Sequence, residues 1–508
     1  MQITITIQND NLKRNIIDNL SINSNDFVGI ELEFTIINGC PLGTDNMPKA
    51  IDLFAGPGGL SLGLTLSGFQ MVGAVEWDKD AGRTYRHNIG DHVHVGDIKT
   101  HSPAEMEKHL KRIGAIRKKS EIELISGGPP CPGFSLIGRS KIANLIKSGE
   151  WKGSDSRHAF IDDPRNQLFK EFVKYVAHFK PKHFLMENVK GMVSYKNQEE
   201  LPIISIIKKE FEAVGYSVDA KVLTASDYGV PQNRQRVIFL GTKGKKQEIR
   251  YPEPMGISIN LRDALIDLPT LSPKTGISDG KKLKLMRKVG NGDKRRFIRW
   301  VRNQKTPEGH VIHNRECTLH HTRPVNPRDQ AIFPLLTSGE NNKRVLYKDI
   351  YPSRLDEVEK LLPKGYTLKR YKTIEPKVEG PAWGQRKTKK WKWYDSSKFG
   401  DKMRRMRGDK PAPTMVAHMG KDGYMFIHPD ENRTITVREA ARLQSFPDSY
   451  DLSAGGNNSI SSQFRQVGNA VPPLMAIALG VEILKAMKIN PSLTVEEVFG
   501  LDQNDQVR

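Results

Sequence analysis

The fold is decided by the stretch Ala50-Ile51-Asp52-Leu53-Phe54-Ala55-Gly56-Pro57-Gly58-Gly59-Leu60-Ser61-Leu62-Gly63-Leu64. Its first five residues are typical of a buried strand, the next five of a tight turn, and the last five of a helix. A second apolar run at 71–75 ends in Glu76, and strand and helix patterns alternate as far as residue 240. Alternation over about 190 residues predicts an α/β domain built on a doubly wound, mostly parallel sheet.

The remaining patterns predict further elements and a division into domains. Thr436 and Glu439 have the spacing of a capping box, so a helix is predicted to begin there. Other helices are predicted near 79–88, 165–179, 199–214 and 472–487, and strands at 93–95, 123–126, 183–186 and 236–240. The predicted divisions are an N-terminal extension of unknown role (1–47), a catalytic domain (48–241), a basic irregular domain (242–410), closing motifs (411–490) and a polar C-terminal tail (491–508).

Charge is distributed very unevenly along the 508 residues. The net charge is +21, but residues 241–410 hold 41 Lys and Arg against 19 Asp and Glu, and the rest holds 38 against 39. So lopsided a segment indicates a polyanionic partner, above all nucleic acid, although a solvated basic face is the plainer alternative. There is no signal segment and no run of 18 apolar residues, which predicts a soluble cytoplasmic protein without membrane contact.

Three cysteines occur, at 40, 131 and 317, and this odd, wide spacing excludes a disulfide framework. Cys131 stands out because it follows the apolar run 123–126 within Gly127-Gly128-Pro129-Pro130-Cys131-Pro132-Gly133-Phe134-Ser135. Open α/β sheets place reacting groups at the carboxyl ends of their strands, and flanking prolines restrict the backbone there. A lone cysteine is more often a buried apolar residue, so a nucleophilic role depends on the other motifs.

The glycine-rich turn predicts a nucleoside site, but not a dinucleotide site. The third glycine of a G-x-G-x-x-G fingerprint is replaced by Ser61. Glu76 ends the second strand, where a carboxylate accepts from ribose hydroxyls. Asp97, after the third strand, is placed to accept from an exocyclic amine, and Phe54 and Trp77 offer rings on which adenine can stack.

Together these stretches resemble the DNA cytosine-5 methyltransferases of bacterial restriction-modification systems. The resemblance rests on nine motifs that stand in that family's order between about residues 50 and 490. They are Asp52-Leu53-Phe54-Ala55-Gly56-Pro57-Gly58-Gly59, Glu76-Trp77-Asp78, Gly96-Asp97-Ile98, Gly128-Pro129-Pro130-Cys131, Asp163-Pro164-Arg165-Asn166, Glu187-Asn188-Val189, Gln232-Asn233-Arg234-Gln235-Arg236, Arg438-Glu439-Ala440-Ala441-Arg442-Leu443-Gln444-Ser445-Phe446-Pro447 and Gln466-Val467-Gly468-Asn469-Ala470-Val471-Pro472.

The resemblance implies a Rossmann-like S-adenosylmethionine-dependent domain and a covalent mechanism. Carbon 5 of cytosine is a poor nucleophile, so a thiolate, here Cys131, must first add to carbon 6. Glu187 would protonate or hydrogen-bond ring nitrogen 3, and Asn188 would hold the loop. Arg234 and Arg236 would stabilise the anionic adduct. The cofactor residues carried over are Phe54, Ala55, Gly56, Gly58, Gly59, Glu76, Trp77, Asp97, Ile98, Pro130, Asn469 and Val471.

The family acts on double-stranded DNA and flips its target base into the pocket. Ser135 and Arg139 belong to the loop 133–162, which resembles the family's mobile loop but is longer than usual. Residues 242–410 correspond to the target-recognition domain. The expected DNA contacts are therefore Ser135, Arg139, Arg404, Arg405 and Arg407. A monomer on DNA and a functional pairing with a cognate restriction endonuclease are also expected.

Two other classes of protein are compatible with parts of the sequence, and four residues have the spacing of a metal site. An RNA cytosine methyltransferase would share the scaffold but tends to lack so large a basic segment. A silent DNA-binding relative would not need Cys131 and Glu187. The set His310, His313, Cys317 and His320 has ligand-like spacing, but Cys-x-x-Cys pairs are absent and the family needs no metal, so none is expected.

Overall fold

The structure is a computed structural model of the chain. It describes residues 3–7, 32–36, 47–130, 168–195, 201–246, 248–272, 283–287, 289–339, 355–371, 374–381, 388–392, 403–421 and 423–501.

A seven-stranded sheet forms the centre of the molecule, as the alternating pattern predicted. In chain order its strands are β3 (Lys49–Leu53), β4 (Gln70–Glu76), β5 (Val93–Val95), β6 (Ile122–Gly127), β7 (His183–Val189), β8 (Tyr216–Thr224) and β10 (Gln235–Lys243). Their spatial order is β5-β4-β3-β6-β7-β10-β8. Each neighbouring pair in the series β5, β4, β3, β6, β7 is parallel. β10 pairs antiparallel with both β7 and β8, so it is the one strand of this sheet that runs in the opposite direction to the other six. The sheet is therefore mostly parallel, and the turns after β3, β4, β5, β6 and β7 share one edge.

Helices flank this sheet and continue into the C-terminal half. They are α1 (Gly59–Ser67), α2 (Lys79–Asn88), α3 (Pro103–Arg112), α4 (Phe169–Phe179), α5 (Ile203–Ala213), α6 (Leu261–Leu265), α7 (Gly292–Asn303), α8 (Pro327–Ile332), α9 (Leu355–Leu361), α10 (Val437–Leu443), α11 (Ile460–Asn469), α12 (Pro473–Ala486) and α13 (Val495–Phe499). The capping box predicted at Thr436 is confirmed, because its hydroxyl accepts from the Glu439 amide and the Glu439 carboxylate accepts from the Thr436 amide.

The C-terminal helices return to the first domain and complete its core. A Cβ at Gly63 of α1 would collide with the Cβ of Ala476 on α12, and one at Gly480 would collide with the Ser67 side chain. The two helices therefore pack at close range. By length and composition the segment Ile460–Ala486 could span a membrane, but 89% of its apolar window is buried inside the protein. That burial is typical of a core helix.

Four smaller sheets account for the remaining strands of the described residues. β1 (Ile3–Ile7) and β2 (Leu32–Ile36) form a parallel pair within the N-terminal extension. β13 (Thr367–Tyr371), β14 (Ile374–Pro381) and β15 (Thr388–Lys392) form an antiparallel sheet. Short pairs join β11 (Leu283–Lys284) to β12 (Glu316–Cys317), and β9 (Gln232–Asn233) to β16 (Ala412–Pro413).

The core of the basic segment is divided. Buried side chains from Ile249 to Val301 belong to the cluster that contains α1 and α12, whereas those from Val325 to Val378 form a second cluster together with Met403 and Ile427. The chain thus crosses from one core to the other well after residue 242. Residues 242–410 also contain α7 and the β13–β15 sheet, so they are more regular than their composition indicated.

The prediction of a polar tail beyond residue 490 is wrong for its first part. α13 lies there, and its Val495 and Phe499 are buried in the main core. Glu496 and Glu497 stand between these two apolar residues, so the composition of the segment does not indicate a buried helix.

Candidate active site

The carboxyl end of β6 leads directly into the loop that carries Cys131. Gly127 has a φ of +159°, and a Cβ there would collide with the carbonyl oxygen of Leu53 on β3. Only glycine lets the two strands approach so closely. The amide of Gly128 then donates to that same Leu53 carbonyl at 3.3 Å, which ties the start of the loop to the neighbouring strand.

β7 holds the other side of this loop. The buried Asn188 donates from Nδ2 to the carbonyl of Pro129 at 3.0 Å, while its Oδ1 accepts from the Val189 amide at 2.8 Å. A Cβ at Gly128 would lie 3.2 Å from Oε2 of Glu187. The carboxylate of Glu187 therefore borders the backbone three residues ahead of Cys131, and Asn188 fixes that backbone. Cys131 itself lies outside the described residues.

Arg236 brings a guanidinium to Glu187 from the antiparallel strand β10. Its Nε lies 2.8 Å from Glu187 Oε1, and both side chains are almost completely buried. Burial lowers the pKa of Arg236 below its usual value, and the Glu187 carboxylate opposes that shift. The pair is an ion pair in a low-dielectric edge of the sheet, where a charge developing on a nearby ring is stabilised strongly.

Arg234 makes a different set of contacts, although it stands two residues away. Its side chain is 1% exposed, and its Nη1 donates to the carbonyls of Met415 and Gly468 at 3.0 and 3.2 Å. Burial lowers its pKa, and Arg236 adds to the shift. The structure thus uses Arg234 to hold the returning C-terminal segments against the strand that carries Arg236.

The glycine-rich turn after β3 is shaped by close contacts from the C-terminal half. Phe54 and Gly56 both have a φ of +58°, and Gly58 has a φ of +95°. A Cβ on Gly58 would lie 2.8 Å from the Tyr450 hydroxyl. Gly59 would collide in the same way with the carbonyl oxygen of Val471. Gly58 and Gly59 therefore have no room for a side chain. Backbone N–H groups are presented at the start of α1, directly after the turn.

Glu76 ends β4 beside this turn. Its Oε2 accepts from the Gly56 amide and its Oε1 from the Asp78 amide, both at 2.7 Å. Burial raises the pKa of Glu76 to about 7, against the opposing effect of those two hydrogen bonds. The carboxylate is thereby held in one orientation, with lone pairs left for hydroxyl donors.

A cavity of about 420 Å³ opens next to Glu76. The indole of Trp77, which is 70% exposed, forms one wall. Residues 95–97, after β5, form a second wall, and the start of α2 forms a third. Arg465, from α11, closes the remaining side. Asp97 accepts from the Lys99 amide at 3.0 Å and so is held by its own turn.

The other predicted cofactor residues lie at different depths around these elements. Ala55, Ile98 and Val471 are buried, and Ile98 packs in the core behind the sheet. Pro130 and Asn469 are exposed at the ends of β6 and α11. Contacts of Val471 with Gly59 bring the C-terminal motif to the turn.

The predicted DNA contacts fall into three groups. Ser135 and Arg139 lie outside the described residues. Arg404 is exposed, and Arg407 is exposed but pairs with Asp409 at 2.6 Å. Arg405 does not fit the prediction. It is 6% exposed, and its guanidinium donates to the carbonyls of Phe333, Leu336 and His428 at 2.7, 2.7 and 2.8 Å. Every nitrogen is thus engaged inside the protein.

The four residues with ligand-like spacing do not converge. His310 stacks on His87 with ring centroids 4.4 Å apart. His320 contacts the Thr436 hydroxyl and the Pro269 carbonyl. Cys317 is buried, and burial raises its pKa to about 12. Among the described residues, no group of His, Cys, Asp and Glu side chains is arranged to hold a metal ion.

Sequence reasoning missed two residues that shape the site. Gln232 is fully buried, accepts from the Met415 amide at 2.8 Å and donates to the Leu443 carbonyl at 3.0 Å. Tyr450 donates its hydroxyl to the Pro57 carbonyl in the glycine-rich turn. Gln232 begins the motif that contains both arginines, which was an available signal. Tyr450 is separated from Pro57 by most of the chain, and nothing local marks it.

Comparisons with known proteins agree with this geometry. Residues 48–485 match the family of C-5 cytosine-specific DNA methylases. Type II methyltransferase M.AgeI from Thalassovita gelatinovora is 31% identical over 471 residues, covering 86% of this chain and 100% of that protein. Type II methyltransferase M.DdeI from Desulfomicrobium norvegicum is 32% identical over 448 residues, covering 85% and 88%. The crystal structure of a protein assigned as a prophage-encoded DNA modification methyltransferase from E. coli has a TM-score of 0.58 and 25% identity, covering 87% of this chain and 99% of that one.

Proposed function

Because the chain belongs to the family of C-5 cytosine-specific DNA methylases and methylates carbon 5 of cytosine in DNA, we propose that it works through a covalent adduct of Cys131. The observation that carries this proposal is the Glu187–Arg236 ion pair beside the Asn188–Pro129 hydrogen bond. These contacts bring an acid and a fixed cation to the backbone that leads into Cys131.

Each step of the reaction then has a group to serve it. The Cys131 thiolate bonds to carbon 6 of the ring, and the electrons of the 5,6 double bond move into the ring as nitrogen 3 takes a proton that Glu187 has first accepted from solvent. Arg236 orients Glu187 and stabilises the carboxylate that results. Carbon 5 then takes the methyl group from the donor, whose sulfur keeps the electron pair of the broken bond. Solvent water accepts the carbon 5 proton as the bond to Cys131 breaks and the 5,6 double bond re-forms, and nitrogen 3 returns its proton to the Glu187 carboxylate. Arg234 acts here as a positioning residue.

A methyl donor of the S-adenosylmethionine type follows from the family and the fold. We propose S-adenosylmethionine itself, held where the glycine-rich turn meets the cavity. The residues fit it: two backbone amides fix the Glu76 carboxylate and leave lone pairs for ribose hydroxyls, Trp77 is exposed, and Asp97 lines the cavity. When bound, this molecule supplies the methyl group that carbon 5 receives.

The target is proposed to be a specific sequence in double-stranded DNA. Residues 242–410 carry the excess positive charge and would read the duplex, with the target cytosine flipped into the pocket. The two curated relatives are named as type II methyltransferases. We therefore propose that this chain is the modification half of a restriction-modification system, acting in the cytoplasm as a monomer with a cognate endonuclease as its functional counterpart.

The covalent mechanism is tested with duplex DNA that contains 5-fluorocytosine, from which carbon 5 cannot release its substituent. The wild-type protein should form an adduct that survives denaturation, with the DNA attached to Cys131. Cys131→Ala should form none and should show no methyl transfer, while it still binds S-adenosylmethionine. Cys317→Ala is the matched control, since that thiol is buried away from the site, and it should form the adduct normally. An adduct that persists in Cys131→Ala would overturn the proposal.

A further inference from the structure

One side of the cofactor cavity is made by a charged side chain from the far end of the chain. Arg465 belongs to α11, whereas the facing wall belongs to the start of α2 and the turn after β5. Its Nη2 lies 2.9 Å from Oδ2 of Asp78 and 3.5 Å from Oδ2 of Asp80. A cation from α11 therefore pairs, at the wall of the cavity, with two carboxylates that stand nearly four hundred residues earlier in the sequence.

Asp78 is held rigidly enough to serve as one end of this bridge. Its Oδ1 caps α2 by accepting from the amides of Asp80 and Ala81 at 2.9 and 3.1 Å. Its Oδ2 is thereby directed at Arg465. The Asp78 carboxylate thus caps α2 with one oxygen and pairs with Arg465 through the other. The Arg465 guanidinium is therefore held at the cavity wall that α2 forms.

The backbone of the C-terminal segment is fixed on the same helix just before α11. Nδ2 of Asn458 donates to the Asp80 carbonyl and to the Thr84 hydroxyl, both at 2.9 Å, and Oδ1 accepts from Arg83 at 3.1 Å. These contacts anchor the base of α11. The Arg465 side chain remains 45% exposed, so it can leave its partners without disturbing that anchor.

We propose that Arg465 is a cofactor-retention residue. Its ion pair with Asp78 and Asp80 joins α11 to the part of the cavity wall that follows Trp77, and it slows the departure of the nucleoside part of the cofactor. Opening requires only that one exposed ion pair separates, which is a small barrier compared with moving α11. This inference rests on the proposed binding of S-adenosylmethionine in the same cavity.

The test measures release of radiolabelled S-adenosylmethionine from the full-length protein, without DNA, after addition of excess unlabelled compound. Arg465→Gln keeps the length of the side chain but removes the charge. We expect it to speed release about fivefold, the size of effect that one exposed ion pair supports. Arg465→Lys keeps the charge and should stay within about twofold of the wild type. Added salt should speed release from the wild type but not from Arg465→Gln.

Controls separate this proposal from a general effect on stability. Arg296→Gln removes another partly exposed ion pair, with Asp293, that does not line the cavity, and it should release the cofactor at the wild-type rate. Melting temperatures of both Gln variants should match the wild type. Wild-type release from Arg465→Gln, or release from Arg465→Lys as fast as from Arg465→Gln, would overturn the retention role. If the wild type binds no S-adenosylmethionine at all, the proposed function fails instead.

Discussion

Nε of Arg236 lies 2.8 Å from Oε1 of Glu187, on two antiparallel strands whose register sets Arg236 opposite Val189. The two residues are therefore diagonal neighbours, close enough for their long side chains to meet. One oxygen of Glu187 faces the cation and the other faces Gly128. This arrangement holds the carboxyl group in one orientation between the cation of β10 and the backbone that follows β6.

Arg236→Lys should distinguish the effect of the positive charge beside Glu187 from the effect of the guanidinium geometry. Lysine keeps the positive charge but loses the planar fork that orients the carboxylate. We expect kcat for methyl transfer to fall about a hundredfold, because a misplaced donor in an anion-stabilising site has an effect of that order. Affinity for S-adenosylmethionine should not change. Arg262→Lys, at the exposed pair with Asp430, is the control and should retain wild-type kcat.

A kcat that survives in Arg236→Lys would show that orientation of Glu187 does not limit the reaction. Single-turnover measurements should decide between loss of chemistry and slow product release. Loss of chemistry predicts a matching drop in the single-turnover rate.

Glu76 predicts a pH dependence of cofactor binding. Burial raises its pKa to about 7 from 4.5, and only the ionised carboxylate accepts fully from two ribose hydroxyls. The affinity for S-adenosylmethionine should therefore rise about tenfold between pH 6 and pH 8, as the linkage relation gives for a single group that titrates midway. Glu76→Gln should bind more weakly and without this dependence, as measured by calorimetry.

The stability of the cofactor-free protein should change in the opposite direction. A pKa raised on folding means that the folded state binds the proton more tightly, so this contribution is complete below about pH 4.5 and is lost as the pH rises through about 7. The melting temperature of the wild type should thus fall, relative to that of Glu76→Gln, between pH 6 and pH 8. Parallel pH profiles for the two proteins would contradict the burial effect.

Two neighbouring arginines should separate stability from DNA affinity. Arg405→Ala removes the hydrogen bonds that the guanidinium donates to three carbonyls inside the protein, so it should lower the melting temperature markedly, with a cost of about 3 kcal/mol or more. Arg404→Ala removes an exposed charge, so it should melt like the wild type. Its affinity for duplex DNA should fall, and the slope of log affinity against log salt should decrease by about 1. Binding by fluorescence anisotropy over a salt series measures both quantities.

Local patterns carried much of the fold and part of the site. The turn between β3 and α1, the capping box at Thr436 and the ends of β4, β6 and β7 are each written in fewer than ten consecutive residues, so periodicity and turn chemistry identify them. β8 escaped because it lies at the edge of the sheet, where its polar residues interrupt the apolar pattern. The sequence predicts a DNA contact at Arg405, but the side chain is buried. Its partners are carbonyls near residues 333 and 428, and no sequence pattern reveals those contacts.

The ion pair between Arg465 of α11 and Asp78 beside α2 could not be predicted from the sequence for the same reason. Arg465 and Asp78 look like solvated charges when each is considered with its own neighbours. Their contact exists only because α12 returns to α1 and brings α11 over α2. Side chains that act between elements therefore need the tertiary arrangement, even when the elements themselves are predictable.

Phe499 should stabilise the turn that leads to Arg234 and Arg236, although it lies near the end of the described chain. Its ring is fully buried, and a Cβ on Gly229 would lie only 2.5 Å from it. Gly229 has a φ of +74° and forms the turn just before β9, so the ring packs on the backbone that leads to Arg234. Phe499→Ala should lower stability by about 3–5 kcal/mol, as loss of a buried phenyl ring does. A chain that ends after Leu501 keeps α13 and should melt like the full-length protein, whereas one that ends after Asn490 should melt like Phe499→Ala or lower. Equal melting temperatures for Phe499→Ala and the wild type would show that α13 does not support this turn.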